Sequence, residues 1–123
     1  MRIVLAMLVV FVATPALAAW EKMVSSGGVD IYIDPQTIKI SGSNRSVLAL
    51  VAYSDVLPNG ARSVRGSMEY DCKERRFRTL SFNQYTEPLA QGNLVSGNEV
   101  PSDWSAVTPE TFAAEALNHV CKK

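Results

Sequence analysis

Strict alternation of apolar and polar residues marks the early part of this chain as β. Val29, Ile31 and Ile33 share one side of an extended segment, with Asp30, Tyr32 and Asp34 on the other, the pattern of a half-buried strand. Trp20 to Val24 reads as a shorter strand before it, set off by the turn Ser25-Ser26-Gly27-Gly28. Asp34-Pro35 is expected to stop the second strand, because proline brings no ladder donor and restrains the residue before it. Thr37 to Ile40 is then a brief extended piece, followed by the turn Ser41-Gly42-Ser43-Asn44. From Ser46 to Ser54 the pattern changes. Val47, Ala49, Val51 and Tyr53 on one side and Leu48, Leu50 and Ala52 on the other are all apolar, so this strand belongs at the centre of a sheet with cover on both faces. A second layer from the same chain is the simpler cover; a homodimer seated on Val47, Val51 and Tyr53 is the alternative.

Pro58-Asn59-Gly60 carries the Asn-Gly turn signature. After it comes a hairpin. Val64, Met68, Tyr70 and Cys72 share one face with Gly66 between them, and Ser63, Arg65, Ser67, Glu69 and Asp71 share the other. Lys73-Glu74-Arg75 makes the turn, and Arg76 to Tyr85 runs back. The apolar positions Phe77 and Thr79 change parity to Leu80 and Phe82, which predicts a β-bulge or twist there. Glu87 to Asp103, with Pro88, Gly92, Gly97 and Pro101 around the apolar pair Leu94-Val95, reads as loop. Thr108 and Pro109 suit an N-cap and a first helical position, with Glu110 in the first turn. Phe112, Ala113, Ala116, Leu117, Val120 and Cys121 follow helical spacing and form one apolar stripe, while Lys122 and Lys123 suit the C-terminal end. The layout is α+β: an antiparallel sheet with one C-terminal helix packed on a face.

The N-terminus changes the picture of where this domain works. Arg2, an apolar run from Ile3 to Val12, the break at Thr14-Pro15 and the small residues Ala16-Leu17-Ala18 have the form of a secretory signal peptide. Residues 1–18 are expected to be removed, leaving one domain over 19–123, exported to the periplasm or secreted, with the cell surface as one destination. The apolar run is too short for a stop-transfer span, and no later stretch would cross a bilayer. No cysteine follows the cleavage site, so lipidation is not expected. In an oxidising compartment, Cys72 and Cys121 are expected to form one disulfide. Each lies on the apolar side of its own element, so the bond would tie the helix to the hairpin.

Charge and residue inventory narrow the chemistry. Twelve basic and twelve acidic residues balance, which argues against nucleic acid as a global partner. Cys-x-x-Cys is absent, and two cysteines with one histidine are too few for a four-ligand metal site. No cofactor is expected. The single histidine, His119, has no companions for a triad. Glu69 and Asp71 share a strand face and suit an acid/base pair in form, but their cationic surroundings favour salt bridges. A small hydrolase built on these three is therefore the weakest reading, and no catalytic residue is assigned. The strongest local charge feature is the cluster Lys73, Arg75, Arg76 and Arg78. It is the candidate binding site, set against the simpler role of a charged hairpin tip.

These residues carry a resemblance. Trp20, Tyr32-Ile33-Asp34 with Ile38, Glu69-Tyr70-Asp71-Cys72 followed by Arg75, Arg76, Arg78 and Leu80, and then Tyr85, Gly92, Trp104, Val107-Thr108-Pro109 and Cys121 resemble the surface-adhesin protein E family of small exported bacterial proteins. The resemblance implies an antiparallel sheet of about six strands with the helix tied by the disulfide. It also implies a non-enzymatic envelope protein that binds other proteins, host matrix proteins included. A structural or inhibitory periplasmic partner protein is the alternative.

Overall fold

The structure is a computed structural model that describes residues 9–10 and 19–122. Apart from Val9 and Val10, the signal peptide read at 1–18 lies outside the described residues. The strands are β1 (Glu21–Ser26), β2 (Val29–Ser41), β3 (Asn44–Tyr53), β4 (Ser63–Asp71), β5 (Arg76–Glu87), β6 (Gln91–Asn98) and the short β7 (Ser105–Ala106), and the helix is α1 (Phe112–Val120). All neighbouring strands are antiparallel. The order is β1-β2-β3-β4-β5-β6, with β7 pairing β5 beyond the end of β6.

β3 is central, as its two-sided apolar pattern predicts. Val47 is buried on the helix side and Leu50 on the opposite side. The chain itself covers both faces. α1 lies over one, and the short 3-10 turn Pro88–Ala90 packs against β3 and β4. The Ser63 hydroxyl donates to the Glu87 carbonyl at 2.6 Å and accepts from the Ala90 amide at 3.0 Å, which pins that turn. Val47 lies in the core under α1, so it is not available to a second copy.

The core gathers Ile33, Val47, Tyr70, Val107, Ala114, Ala116, Leu117 and Val120. Cys72 and Cys121 are bonded, with their Cα atoms 5.8 Å apart. The apolar face of the hairpin and the apolar stripe of the helix therefore meet where the sequence places them. The parity change in β5 is a bulge: Ser67 pairs Ser81 and Met68 pairs Thr79, so Leu80 has no partner in the ladder. This extra residue returns Phe82 to the face of Phe77 and Thr79.

Three expectations need correction. Asp34-Pro35 does not end its strand; β2 continues to Ser41, and only the ladder breaks, between Asp34 and Lys39. The Asp34 carboxylate accepts from the Gln36 amide at 3.1 Å, and the Thr37 hydroxyl accepts from the Leu48 amide at 2.9 Å, so side chains replace the missing ladder bonds. The segment 87–103 is not all loop, because β6 pairs β5 from Phe82 to Glu87. The helix begins later than Thr108-Pro109 suggests. Glu110 has a left-handed φ of 65°, which no helical first turn tolerates, and Thr111 is the N-cap, accepting from the Ala114 amide at 3.2 Å. The Val107 amide donates to Arg75 O at 2.9 Å, so the chain stays extended against the hairpin until it is past that contact.

Candidate functional site

The four basic residues of the hairpin-tip cluster, Lys73, Arg75, Arg76 and Arg78, divide into two pairs. Arg76 and Arg78 lie on the face away from the helix, opposite Asp71 and Glu69 in the ladder. Arg76 Nε donates to Asp71 Oδ2 at 2.9 Å, and Arg78 Nε donates to Glu69 Oε1 at 2.8 Å. Trp104 spans both guanidinium groups, each 4.5 Å from the ring centroid. The two arginines therefore hold Trp104, and with it the segment that leads to β7, against the edge of β5. The Ser102 amide donates to Thr79 O at 2.8 Å and extends that attachment.

Lys73 and Arg75 are exposed at the tip. The turn they sit on is built by Asp71, whose Oδ1 accepts from the amides of Lys73 and Glu74, each at 3.1 Å. The Glu74 amide is the main cause that holds the Asp71 carboxyl below its ordinary value; burial opposes this and Arg76 reinforces it. Arg75 adopts a left-handed φ of 50°, a conformation that favours glycine. An arginine there carries a backbone cost of about 1 kcal/mol. Its guanidinium donates to Asn118 Oδ1 at a long 3.4 Å.

The sheet edge along the half of β5 away from this tip, where β6 pairs Phe82 to Glu87, carries a further surface. β6 has no charged residue from Gln91 to Asn98, and Leu94 is 62% exposed at its middle. The opposite edge, β1, carries Glu21 and Lys22 and a register shift between Lys22 and Val24. Both edge ladders are irregular, with two register shifts between β5 and β6, so the difference between the edges is charge: β1 carries two charged side chains and β6 none. The pair Leu94-Val95, framed by Gly92 and Gly97, was the one sequence signal for this strand. Trp104 had no local signal for its place, since its partners lie more than twenty residues earlier.

Glu69, Asp71 and His119 do not converge. The two carboxylates bind arginines on one face of the sheet, while His119 lies on the helix packed on the other face, with Nε2 3.7 Å from Glu21 Oε1. Among the described residues, no three His, Cys, Asp or Glu side chains group as a metal site, and no helix is long and apolar enough to cross a membrane.

Comparison with known proteins gives this geometry a context. A sequence model of the family described as "Surface-adhesin protein E" matches residues 20–122. The chain belongs to that family. Its fold matches solved structures of Haemophilus influenzae protein E. Crystal form II superposes with a TM-score of 0.68 at 21% identity, covering 89% of this chain and 92% of that one. The selenomethionine form gives 0.67 at 22% identity, covering 89% and 91%. A structure of protein E from non-typeable Haemophilus influenzae gives 0.63 at 21% identity, covering 89% and 80%. Identity at this level establishes the shared adhesin E fold. No protein among curated sequences matches the chain.

Proposed function

We propose that this protein is an exported, non-enzymatic binding domain that takes an extended stretch of a protein ligand along β6, with Lys73 and Arg75 contacting acidic groups nearby. Membership of an adhesin family supports a binding role. The observation that carries the choice of surface is the uncharged outer edge of β6, a template for strand addition. From Asn98 the chain continues along β5 to β7 and Trp104, so this edge leads directly to the basic tip. Arg75 supports the same reading, because an exposed arginine is kept where glycine would be less strained. Of the four candidate cations, Lys73 and Arg75 present charge, while Arg76 and Arg78 shape the surface through Trp104. The protein acts in the periplasm or at the cell surface.

The test is binding of the mature protein to envelope extract and to a panel of extracellular-matrix proteins, alongside cell fractionation. Saturable binding is expected to one of these sources, weakened by the double variant Lys73→Glu/Arg75→Glu and by Leu94→Lys, which places a charge on the edge. Absence of a saturable protein ligand from either source refutes the reading, as does a ligand that none of these variants affects.

A further inference from the structure

The hairpin tip and β7 enclose a cleft of about 460 Å³, lined by Glu74, Arg76, Trp104, Ser105 and Ala106. This size falls within the ~300–1,000 Å³ typical of small-molecule sites. Glu74, Ser105 and Ala106 are exposed, so the cleft opens to solvent at these residues. Trp104 and Ala106 give it an apolar side, and Arg76 and Glu74 give it one cation and one anion. The ladder pairs Ala106 with Arg76, which puts both side chains on the same face of the sheet.

One buried carboxylate holds both charged residues. Asp71 Oδ1 accepts from the Glu74 amide at 3.1 Å, and Asp71 Oδ2 accepts from Arg76 Nε at 2.9 Å. Arg76 thus spends Nε on Asp71, while among the described residues its two Nη groups have no protein acceptor. Among the same residues the Glu74 carboxylate has no protein donor, and the Trp104 N–H has no protein acceptor. Trp104 is fixed by the two guanidinium groups stacked on it, so the lining is set before a ligand arrives.

We propose that this cleft binds one neutral hexopyranose unit of a glycan, with two adjacent ring hydroxyls between Arg76 and Glu74 and the ring's C–H groups toward Trp104 and Ala106. A guanidinium only donates and a carboxylate only accepts, whereas a hydroxyl does both. Neighbouring hydroxyls can therefore accept from the Arg76 Nη groups and donate to Glu74 together. An anionic ligand drawn to Arg76 would be repelled by Glu74, and a cation would meet the reverse. An added peptide strand is disfavoured, because β7 spans only Ser105 and Ala106. The open sides leave room for a glycan chain to continue past the bound unit. The site lies at the β7 end of β5 and does not depend on a protein ligand at β6.

The experiment is an NMR titration of the mature protein, followed at the Trp104 indole N–H and the Glu74 and Ser105 amides. Methyl β-galactopyranoside stands for the terminal sugars of matrix glycoproteins and chitobiose for the amino sugars of the bacterial wall, with glucuronate and glycylglycine as separate arms. Saturable one-site shifts are expected with a neutral sugar, and saturation by either one supports the site and tells a matrix glycan from a wall glycan. Glu74→Ala is expected to weaken that sugar about tenfold, the scale of a hydrogen bond to a charged group. The Glu74 side chain is exposed, so this variant is expected to keep the parent's thermal midpoint. Ala106→Gln, which fills the cleft from exposed β7, gives a second loss. The proposal is overturned if neither neutral sugar saturates, or if Glu74→Ala binds it as the parent does. It is equally overturned if glucuronate or glycylglycine binds more tightly than the neutral sugars, which would show an anion site or a peptide site.

Discussion

Gly66 and Phe82 are partners across β4 and β5, and Phe82 stands over the place where a side chain at 66 would be. A Cβ on Gly66 would lie 3.4 Å from Phe82 Cβ and 2.7 Å from the Ser81 carbonyl oxygen. The unpaired Leu80 is what brings Phe82 to this face, so the bulge and the glycine belong together. Backbone cannot yield as a flexible side chain can. Gly66→Ala is therefore expected to destabilise the protein by about 1–3 kcal/mol, as overpacking does. A urea unfolding midpoint unchanged from the parent would show that the strands shift freely at this point.

The Cys72–Cys121 bond closes a loop with a sequence separation of 49. Loop-closure entropy places its contribution at about 4 kcal/mol. Reduction, or the double variant Cys72→Ser/Cys121→Ser, is expected to lower the free energy of unfolding by that order. Amide exchange at Leu117 and Val120 is expected to accelerate first, because the bond joins the helix end to the hairpin. A loss well under about 1 kcal/mol would mean that apolar packing alone holds α1 down.

Trp104→Ala removes two cation–π contacts, each of about 0.5–1 kcal/mol at a partly exposed site. The expected loss is about 1–2 kcal/mol in all, with faster hydrogen exchange at Ser102 and Val107, whose amides bond to Thr79 and Arg75. Unchanged exchange at both amides would show that the β7 segment does not depend on the ring.

Two titrating groups set opposite limits of pH. Asp71 is held below its ordinary value, first by the Glu74 amide. Its contribution is full above the unfolded value of about 3.9 and is lost as pH falls through the lower folded value. Asp71→Asn is expected to flatten the acid limb of stability in that window. Burial pushes the Tyr70 hydroxyl from 10.0 up to about 12. Its contribution is full below the unfolded value and is lost as pH rises between those two values, because the unfolded chain ionises first. Tyr70→Phe is expected to remove that alkaline decline. Denaturation midpoints followed across both windows check the pair, and an identical pH profile for either variant rejects its assignment.

The alternation at Val29 to Asp34, the two-sided apolar run from Ser46 to Ser54 and the helical stripe from Phe112 to Cys121 were legible because they are local. A strand repeats every two residues and a helix about every 3.6, so side-chain type alone reveals which face is apolar. The meeting of Cys72 and Cys121 followed from that, since each lies on the buried side of its own element. The basic cluster was also visible, but not its division. Whether Arg76 and Arg78 are free depends on Glu69, Asp71 and above all Trp104, which arrives from a different part of the chain.

β6, the late start of α1 and the half-buried part of the helix-side face have no local cause. The segment from Gln91 to Asn98 is rich in residues that favour turns, and it is extended because β5 offers it a ladder. Thr108-Pro109 has the chemistry of a helix start, yet the Val107 bond to Arg75 and the left-handed Glu110 defer the helix to Phe112. With α1 running only from Phe112 to Val120, the helix is too short to cover the whole apolar face. Residue pattern thus dictated which faces are apolar, because periodicity is a property of the backbone. How much of those faces stays open was decided by hydrogen bonds and packing between segments far apart in the chain, where no local pattern reaches.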